Sequence, residues 1–406
     1  MSVDMPTFTT EIRFTAGASS TGFELGDAIL GYSTLGEAAV WSDVSSDVRN
    51  ISIIRGKQRE LDEYNTGTAN VTLDNTARTY DPDYASGAYY GQIKVGRWMR
   101  IKATYDSTDY QIYQGVIRDW DFRYQFPNEA TAIPRASDFI FDLNNTNIST
   151  TTTAALSGTV VGEILNEANV LPRDLDAGQE TFQAVTLSNA NALSALQIAD
   201  KSEGGGLSAI YANTSNQIVF EDRQSLTANA RSNTSQATFG GAALPVADIE
   251  LEYSGTLIKN DVSLTRIGGA AQVKTDTASI SDYGTRSFSL TGLYNNNDLN
   301  TASIAQSYID AFADPILRVR KIILHPRQNN AVMIQALSRQ IRDRITVTYD
   351  PPPSGTVSAD YFISGIEHQA SAENLRTVFT LESTEGRSPY WSLGTSELGT
   401  TTTLGF

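Results

Sequence analysis

The strongest constraint on the fold is an internal repeat. The stretch RIKATYD at residues 100–106 returns as RITVTYD at residues 344–350, and each copy is followed by a loop and an Asp-Tyr pair. Thr, Tyr and Ile are favoured in any strand, so the shared Arg, Asp and strand order carry the comparison. We predict that two strands recur and that one chain carries two similar barrels. The matched positions continue with Asp109–Tyr110 against Asp360–Tyr361, Ile112 against Ile363 and Gly115 against Gly365, with one residue fewer in the second copy.

Alternation of apolar and polar residues predicts a β-rich first domain over residues 1–145. The alternating runs are short and are broken by Gly, Asn, Asp and Pro, as in strands joined by turns. Five or more strands at this spacing are typical of a barrel or a sandwich. The clearest runs are Glu11–Phe14, Arg49–Ile54, Asn70–Leu73, Arg97–Tyr105 and Tyr110–Trp120.

The sequence pattern changes at residues 146–247, and this stretch predicts a smaller α+β domain. Two segments with helical spacing precede two short apolar runs that we interpret as a hairpin. The glycines at 204–206 are expected to end the second helix, because glycine adopts the left-handed C-cap conformation without penalty. A phosphate-binding loop would instead precede a helix. The segments are the helices Gly158–Asn169 and Ala190–Glu203 and the strands Leu207–Tyr211 and Gln217–Glu221.

Residues 248–385 return to β alternation and predict a second barrel with a helix-containing insertion. The helix is expected at Thr301–Phe312, where apolar residues recur at i, i+4 and i+8. Residues 386–406, rich in Thr, Gly and Leu, are expected to form an extended C-terminal tail. The predicted strands of this second barrel are Arg344–Tyr349, Tyr361–Glu367 and Arg376–Glu382.

Composition excludes several classes of function. The chain has 406 residues and no cysteine, so disulfides, thiolate metal sites and a cysteine nucleophile are absent. Its formal charge of −16 repels nucleic acid, although an acidic wall suits a channel that DNA must pass without sticking. The N-terminus lacks a signal-peptide pattern and no run of 18 apolar residues occurs, so we expect folding in a cytosol without a membrane anchor.

Catalytic chemistry finds little support, and we predict no catalytic, cofactor-binding or metal-binding residue. His325 and His368 each end or follow an apolar run, which favours structural roles. The sequence contains no metalloprotease, esterase or P-loop motif. A glycosidase acting through two carboxylates stays open, since sequence spacing does not give spatial separation. Four residues are better explained as turn formers than as calcium ligands, namely Asp74, Asn75, Asp81 and Asp83.

Two segments of opposite charge form the candidate assembly contacts. Residues between Arg13 and Arg49 include acids but no Lys or Arg, whereas residues 318–344 carry seven cations and one acid, Asp343. Solvated faces would explain both segments. Our hypothesis is that they meet across a subunit boundary, where complementary potentials fix register. The acidic set is Glu24, Asp27, Glu37, Asp43 and Asp47, and the basic set is Arg318, Arg320, Lys321, Arg327, Arg339, Arg342 and Arg344.

Residues 48–82, VRNISIIRGKQRELDEYNTGTANVTLDNTARTYDP, resemble the N-terminal signature of minor tail proteins from long-tailed, siphovirus-type bacteriophages. The closing stretch at residues 390–406 and the helix and hairpin at residues 192–223 are similar to the same group. The motifs are structural, so they indicate a family better than an activity. They are Arg55–Gly56, Gly67–Thr68–Ala69, Leu73–Asp74–Asn75 and Tyr80–Asp81–Pro82.

The resemblance implies a baseplate hub that is not an enzyme. Such a subunit has two tube-like β-barrels and smaller peripheral α+β domains, and three chains form a pseudo-hexameric ring at the virion tail tip. Its implied partners are the distal tail protein, the tape-measure protein and tail fibre or receptor-binding proteins. DNA would be only a transient passenger through the lumen. Assembly would take place in the host cytoplasm.

Two alternatives stay open at the level of sequence. A hexameric distal-tail adaptor with a fibre- or carbohydrate-binding outer domain would need only one barrel per chain. A cell-wall glycosidase or depolymerase would need two suitably spaced carboxylates.

Overall fold

The computed structural model of the chain describes residues 3–15, 40–204 and 206–384. The predicted C-terminal tail at residues 386–406 and the closing family-like stretch lie outside these residues. The same holds for three members of the acidic set, Glu24, Asp27 and Glu37.

The first part of the chain is built from strands whose apolar side chains point to one face. Ile51 and Ile53 are buried on one face of their strand, while Ser52 between them is polar and more exposed. Four of the five predicted strands are confirmed, several of them longer than the patterns suggested, whereas the strand predicted at Glu11–Phe14 instead runs from Thr7 to Ile12. The strands are β1 (Thr7–Ile12), β2 (Ser42–Asp43), β3 (Val48–Gly56), β4 (Asn65–Asp74), β5 (Trp98–Tyr105), β6 (Thr108–Gln125) and β7 (Glu129–Ser137).

The second part contains the predicted helices and hairpin. Strands β11 and β12 pair antiparallel from Ala209 with Glu221 to Ala212 with Ile218, which confirms the hairpin. The helices bury one apolar face each, including Val161 and Leu165. The elements are α1 (Phe139–Asn144), β8 (Asn147–Thr151), α2 (Ser157–Glu167), β9 (Arg173–Leu175), β10 (Thr186–Asn191), α3 (Ala192–Gly204), β11 (Ala209–Ala212), β12 (Ile218–Glu221), α4 (Ser225–Ala228) and α5 (Ala230–Asn233).

The third part returns to strands around one long helix. That helix begins at Asp298, three residues earlier than predicted, because the Asn297 side chain caps it by accepting from the Asn300 backbone N–H. The elements are β13 (Thr238–Phe239), β14 (Asp248–Glu252), β15 (Asp261–Arg266), β16 (Gln272–Thr275), α6 (Thr277–Tyr283), β17 (Ser287–Leu293), α7 (Asp298–Phe312), β18 (Arg318–Leu324), α8 (Asn330–Ser338), β19 (Arg344–Tyr349), β20 (Val357–Ser371) and β21 (Leu375–Ser383).

Thirteen strands belong to one sheet, and this sheet contains the same six-stranded arrangement twice. Neighbouring strands follow the order β3-β4-β7-β6-β5-β1 in the first arrangement, which we call the N-terminal unit. They follow the order β14-β18-β21-β20-β19-β13 in the second, which we call the C-terminal unit. Both units visit these positions in the same order along the chain. One pair differs, since β1 is antiparallel to β5 whereas β13 is parallel to β19.

The two hairpins that contain the sequence repeat, β5–β6 and β19–β20, occupy equivalent places. The residue matching within them needs correction. Asp109 lies opposite Thr104, whereas Asp360 lies opposite Thr346, two positions further from the turn than the sequence match implied. The first hairpin turns tightly through Asp106 and Ser107, both with positive φ, while residues 350–356 connect the second. The matches of Ile112 with Ile363 and of Gly115 with Gly365 are also wrong, because the β-bulges that follow Ile117 and Ile363 align these two residues instead.

The long strand β20 joins the two units into one sheet. Its first half pairs with β19, and its second half pairs with β3 from Gly365 with Gly56 to Ser371 with Asn50. A Cβ on Gly56 would lie 2.2 Å from the Ser364 carbonyl oxygen, and the φ of Gly56 is +86°. Glycine is therefore required where the strands of the two units approach each other.

Each unit buries its own core, and the inserted segments bury two more. Helix α8 adds Met333 and Leu337 to the core of the N-terminal unit, so the C-terminal unit also supports its neighbour. Strands β15, β16 and β17 with α7 form a separate small core around Val262 and Ile304, inserted between β14 and β18. Within the described ranges, none of the helices combines the length and apolarity needed to span a membrane.

Candidate assembly surface

One face of the continuous sheet is polar across the junction of the two units. Neighbouring strands align a row of hydrophilic side chains that lie opposite one another in register, and the strands bury their apolar residues on the other face. We call this the polar sheet face. Its central row consists of Arg135, Asn70, Ser52, Gln369 and Arg376.

Two arginines of this polar sheet face, both in the N-terminal unit, are held in ion pairs. Arg49 bonds Asp74 and Glu129, each at 2.6 Å, and Arg135 pairs with Asp121. The hydrogen bond from Arg49 lowers the pKa of Asp74 to about 2. Each of these two guanidinium groups is therefore already matched by a carboxylate.

Most of the predicted basic set is engaged within the chain. Arg318 is buried against Glu60, and Arg342 is buried with its Nε 2.6 Å from a Glu221 carboxylate oxygen. These two side chains are not on the surface, so the structure corrects our view of them as contacts for a neighbouring subunit. The reason is that their carboxylate partners come from distant parts of the sequence, which spacing does not show.

Three other members of the basic set also have acceptors in the same chain. Arg339 lies 3.2 Å from Asp343, Arg344 lies 2.5 Å from Asp360, and Arg327 donates to the Glu373 carbonyl oxygen. Arg320 and Lys321 are half-buried on β18. A contact of these residues with a neighbouring subunit stays a prediction.

The described members of the acidic set also make local contacts. Asp43 accepts from the backbone N–H of Ser45 at 2.9 Å, and Asp47 accepts from the Tyr80 hydroxyl at 2.7 Å. Both carboxylates therefore stabilise the segment of chain that leads into β3. Their role between subunits stays a prediction.

Within the family-like signature, side-chain hydrogen bonds and ring contacts fix the turn that follows β4. Asn75 accepts from the backbone N–H of Tyr80 at 2.9 Å, and the buried Tyr80 ring packs near Phe14 and Tyr89. Asp81 accepts from Arg78 at 2.8 Å and from the Asp83 backbone N–H at 2.9 Å. The acids of this stretch thus form turns, as the sequence indicated.

His368 and Glu203 are buried and hydrogen-bonded within the chain. His368 is buried on β20 with its Nδ1 3.0 Å from the Thr377 hydroxyl, and burial lowers the pKa of its imidazole to about 3. His325 precedes a short 3-10 helix, Pro326–Gln328. Glu203 accepts from the Ser157 hydroxyl and from two backbone N–H groups, while burial raises the pKa of its carboxyl. Over residues 3–15, 40–204 and 206–384, no cluster of acids and histidines suits a metal ion.

Two strand edges were not anticipated from the sequence. Strand β14 pairs with β18 on one side, and no described strand pairs with its other edge. Leu251 and Tyr253 at this edge are 44% and 63% exposed. Strand β6 continues beyond its contact with β5 and there pairs with β7 alone, leaving Tyr124 49% exposed. Edge positions depend on long-range pairing, so no local pattern would have revealed them.

The comparisons with known proteins give a fold. No protein-family model matches the sequence, and no curated protein matches it either. Solved structures do match: the 43 kDa tail protein of prophage MuSo2 from Shewanella oneidensis superposes with a TM-score of 0.58 and 12% identity, covering 94% of this chain and 98% of that chain. This chain has the fold of a phage tail protein.

A second tail-protein structure supports the same assignment of fold. The tail protein from Neisseria meningitidis MC58 matches with a TM-score of 0.56 and 10% identity, over 94% of this chain and 97% of that chain. Both matches extend over nearly the whole length of each protein. The predicted fold class, mainly β with α+β parts, is thereby confirmed.

Proposed function

We propose that this protein is a structural subunit of a phage tail, and that three copies form a hub closing the tail tube at its tip. The observation that carries the proposal is the repeated six-stranded unit. Two units per chain and three chains give six similar units around one axis. A ring of this kind would allow a trimer to dock onto a tail tube of sixfold symmetry.

The proposed division of the chain follows this architecture. We assign residues 1–145 to the first barrel, residues 146–247 to an outer α+β domain, and residues 248–385 to the second barrel with its helix-containing insertion. Strand β13 (Thr238–Phe239) would cross the second boundary and complete the second barrel. The ring would contact the distal tail and tape-measure proteins, and the outer parts would hold fibre or receptor-binding proteins.

The polar sheet face is proposed to line a lumen through which DNA passes. Its arginines are paired with carboxylates and the chain carries a formal charge of −16. A lining of this kind limits adhesion of the phosphate backbone during passage. In this role the protein is not an enzyme, and its buried acids and histidine maintain structure.

The decisive experiment is the copy number of the protein in intact particles, determined by cryo-electron microscopy of the tail tip. We expect three copies, each contributing two units to one ring around a lumen. Six copies with one unit each in the ring would instead favour a distal-tail adaptor. Absence from the particle would reject the structural role, and digestion of peptidoglycan or capsule by the purified protein would then support an enzyme.

A further inference from the structure

The junction between the two units in one chain is a model for a junction between chains. Within the chain, the edge of the N-terminal unit (β3) pairs with the second half of β20 in the C-terminal unit. The equivalent edge of the C-terminal unit is β14, and the strand equivalent to β20 is β6. Both have an edge that no described strand covers.

The long strands β6 and β20 can be aligned through a shared irregularity. A β-bulge follows Ile117 where β6 pairs with β7, and a β-bulge follows Ile363 where β20 pairs with β21. Phe122 and His368 lie at the same distance beyond the bulge. Phe122 in β6 is therefore equivalent to His368 in β20.

The edge strands align through the next strands in the sheet. Leu73 and Phe122 both lie opposite Ala132. Leu324 and His368 both lie opposite Thr377. The two leucines are therefore equivalent. The pairing of β3 with β4 and of β14 with β18 then aligns the two edges. The resulting equivalences are Asn50 with Asp248, Ile51 with Ile249, Ser52 with Glu250 and Ile53 with Leu251.

We infer that β14 of one chain pairs antiparallel with the exposed half of β6 in a second copy of this chain, in the register of the β3–β20 junction. Ser52 lies opposite Gln369 within the chain, so Glu250 would lie opposite Arg123 of the second copy. Ile53 lies opposite His368, so Leu251 would lie opposite Phe122. The remaining pairs are Asp248 with Gln125, Ile249 with Tyr124, Glu252 with Asp121 and Tyr253 with Trp120.

The chemistry of the two edges fits this register. Apolar side chains fall opposite apolar side chains on one face, and this accounts for the exposed Leu251, Tyr253 and Tyr124. On the polar face, Glu250 meets Arg123. The pairing of Glu252 with Asp121 brings two acids together, but Asp121 is already bonded to Arg135. Charge and hydrophobicity thus select a second copy as the occupant.

This contact joins two different surfaces, so it continues from chain to chain until the ring closes. Six equivalent junctions would then alternate within and between chains. The inference rests on the proposed function for the number of copies. The pairing itself rests on the equivalence of the two units.

Cysteine cross-linking tests the register, because the natural chain has no cysteine. Glu250→Cys combined with Arg123→Cys in one chain should give disulfide-linked multimers in purified tail particles on a non-reducing gel. Opposite residues of antiparallel strands lie within reach of a disulfide. As the matched control, Ser52→Cys with Gln369→Cys should form an intrachain bond. Glu250→Cys with Tyr124→Cys, which face opposite sides, should stay unlinked.

Charge reversal provides a second measurement. Arg123→Glu should weaken association of the purified protein in sedimentation, and adding Glu250→Arg should restore it. Thermal unfolding checks that each variant is folded. If the Ser52–Gln369 bond forms in particles but Glu250→Cys with Arg123→Cys gives only monomers, the pairing is wrong.

The two proposals fail in different ways. Three copies in the particle without cross-linking would retain the hub and reject this junction. Cross-linked chains present in six copies would retain the junction and reject the trimeric hub.

Discussion

At the residue scale, single positions decide whether the two units can join. Gly56 and Gly365 lie at the start of the β3–β20 pairing, where each strand backbone fills the space that the other residue's side chain would need. The sequence flagged Gly56 only as part of an Arg-Gly motif. Its physical reason became visible once the partner strand was known.

Gly56→Ala should destabilise the protein by about 3 kcal/mol, because the new methyl group meets the Ser364 carbonyl oxygen and the backbone needs a positive φ. Gly91→Ala is the matched control, since its φ is +74° but nothing lies within 4 Å of the added Cβ. We expect it to cost about 1 kcal/mol. Urea unfolding measures both, and equal losses would contradict the close contact at the junction.

His368 should make the protein sensitive to acid. Its imidazole stays neutral in the fold, with a pKa of about 3, because burial opposes the charged form; the unfolded chain titrates near 6.5. Stability is therefore present above about pH 6.5 and is lost as pH falls toward 3. His368→Gln should reduce the drop in Tm between pH 7 and pH 4.5. An unchanged pH profile in the His368 variant would refute this role.

Arg318→Glu should unfold the chain instead of merely blocking assembly. The change places a second carboxylate against buried Glu60, and loss of such a buried pair costs about 3–5 kcal/mol. Lys321→Glu changes a half-buried cation on the same strand, opposite Glu250, and should lower Tm far less. Circular dichroism melting compares the two. Equal stability would mean that the Arg318–Glu60 pair contributes little.

At the scale of elements, the first copy of the repeated hairpin is set by a two-residue turn. Asp106 and Ser107 both adopt positive φ, at 49° and 60°, which is the conformation that Asn-Gly favours. Asp106→Asn with Ser107→Gly should stabilise the protein by about 1 kcal/mol. Chemical unfolding measures the gain, and destabilisation would show that the turn has another geometry.

The elements also show what the sequence could and could not predict. Alternation located most strands, and helical spacing located α2, α3 and α7, because these signals are local. The registers of β6 and β20 and the partners of Arg318 and Arg342 depend on contacts between distant segments. The duplicated hairpin was detectable as matching letters, but its loop lengths displaced the match by two residues.

At the scale of the whole molecule, the polar sheet face should repel DNA because Arg49 and Arg135 on it are paired with carboxylates. Asp74→Asn with Glu129→Gln removes both partners of Arg49 and should produce retention of duplex DNA by the assembled protein at low salt. Asp314→Asn with Glu373→Gln makes the same change in net charge at exposed acids elsewhere. Electrophoretic mobility measures binding, and equal binding by both variants would attribute the effect to net charge alone.

The small inserted core has a consequence for the outline of the assembly. It occupies the connection from β14 to β18, while the equivalent connection from β3 to β4 is only the short segment at residues 57–64. In a ring of three chains, the six units would therefore alternate at the rim between one that carries the inserted core and one that lacks it. The rim would then carry three protruding cores, so attachments present in three copies could be placed on a tube of sixfold symmetry.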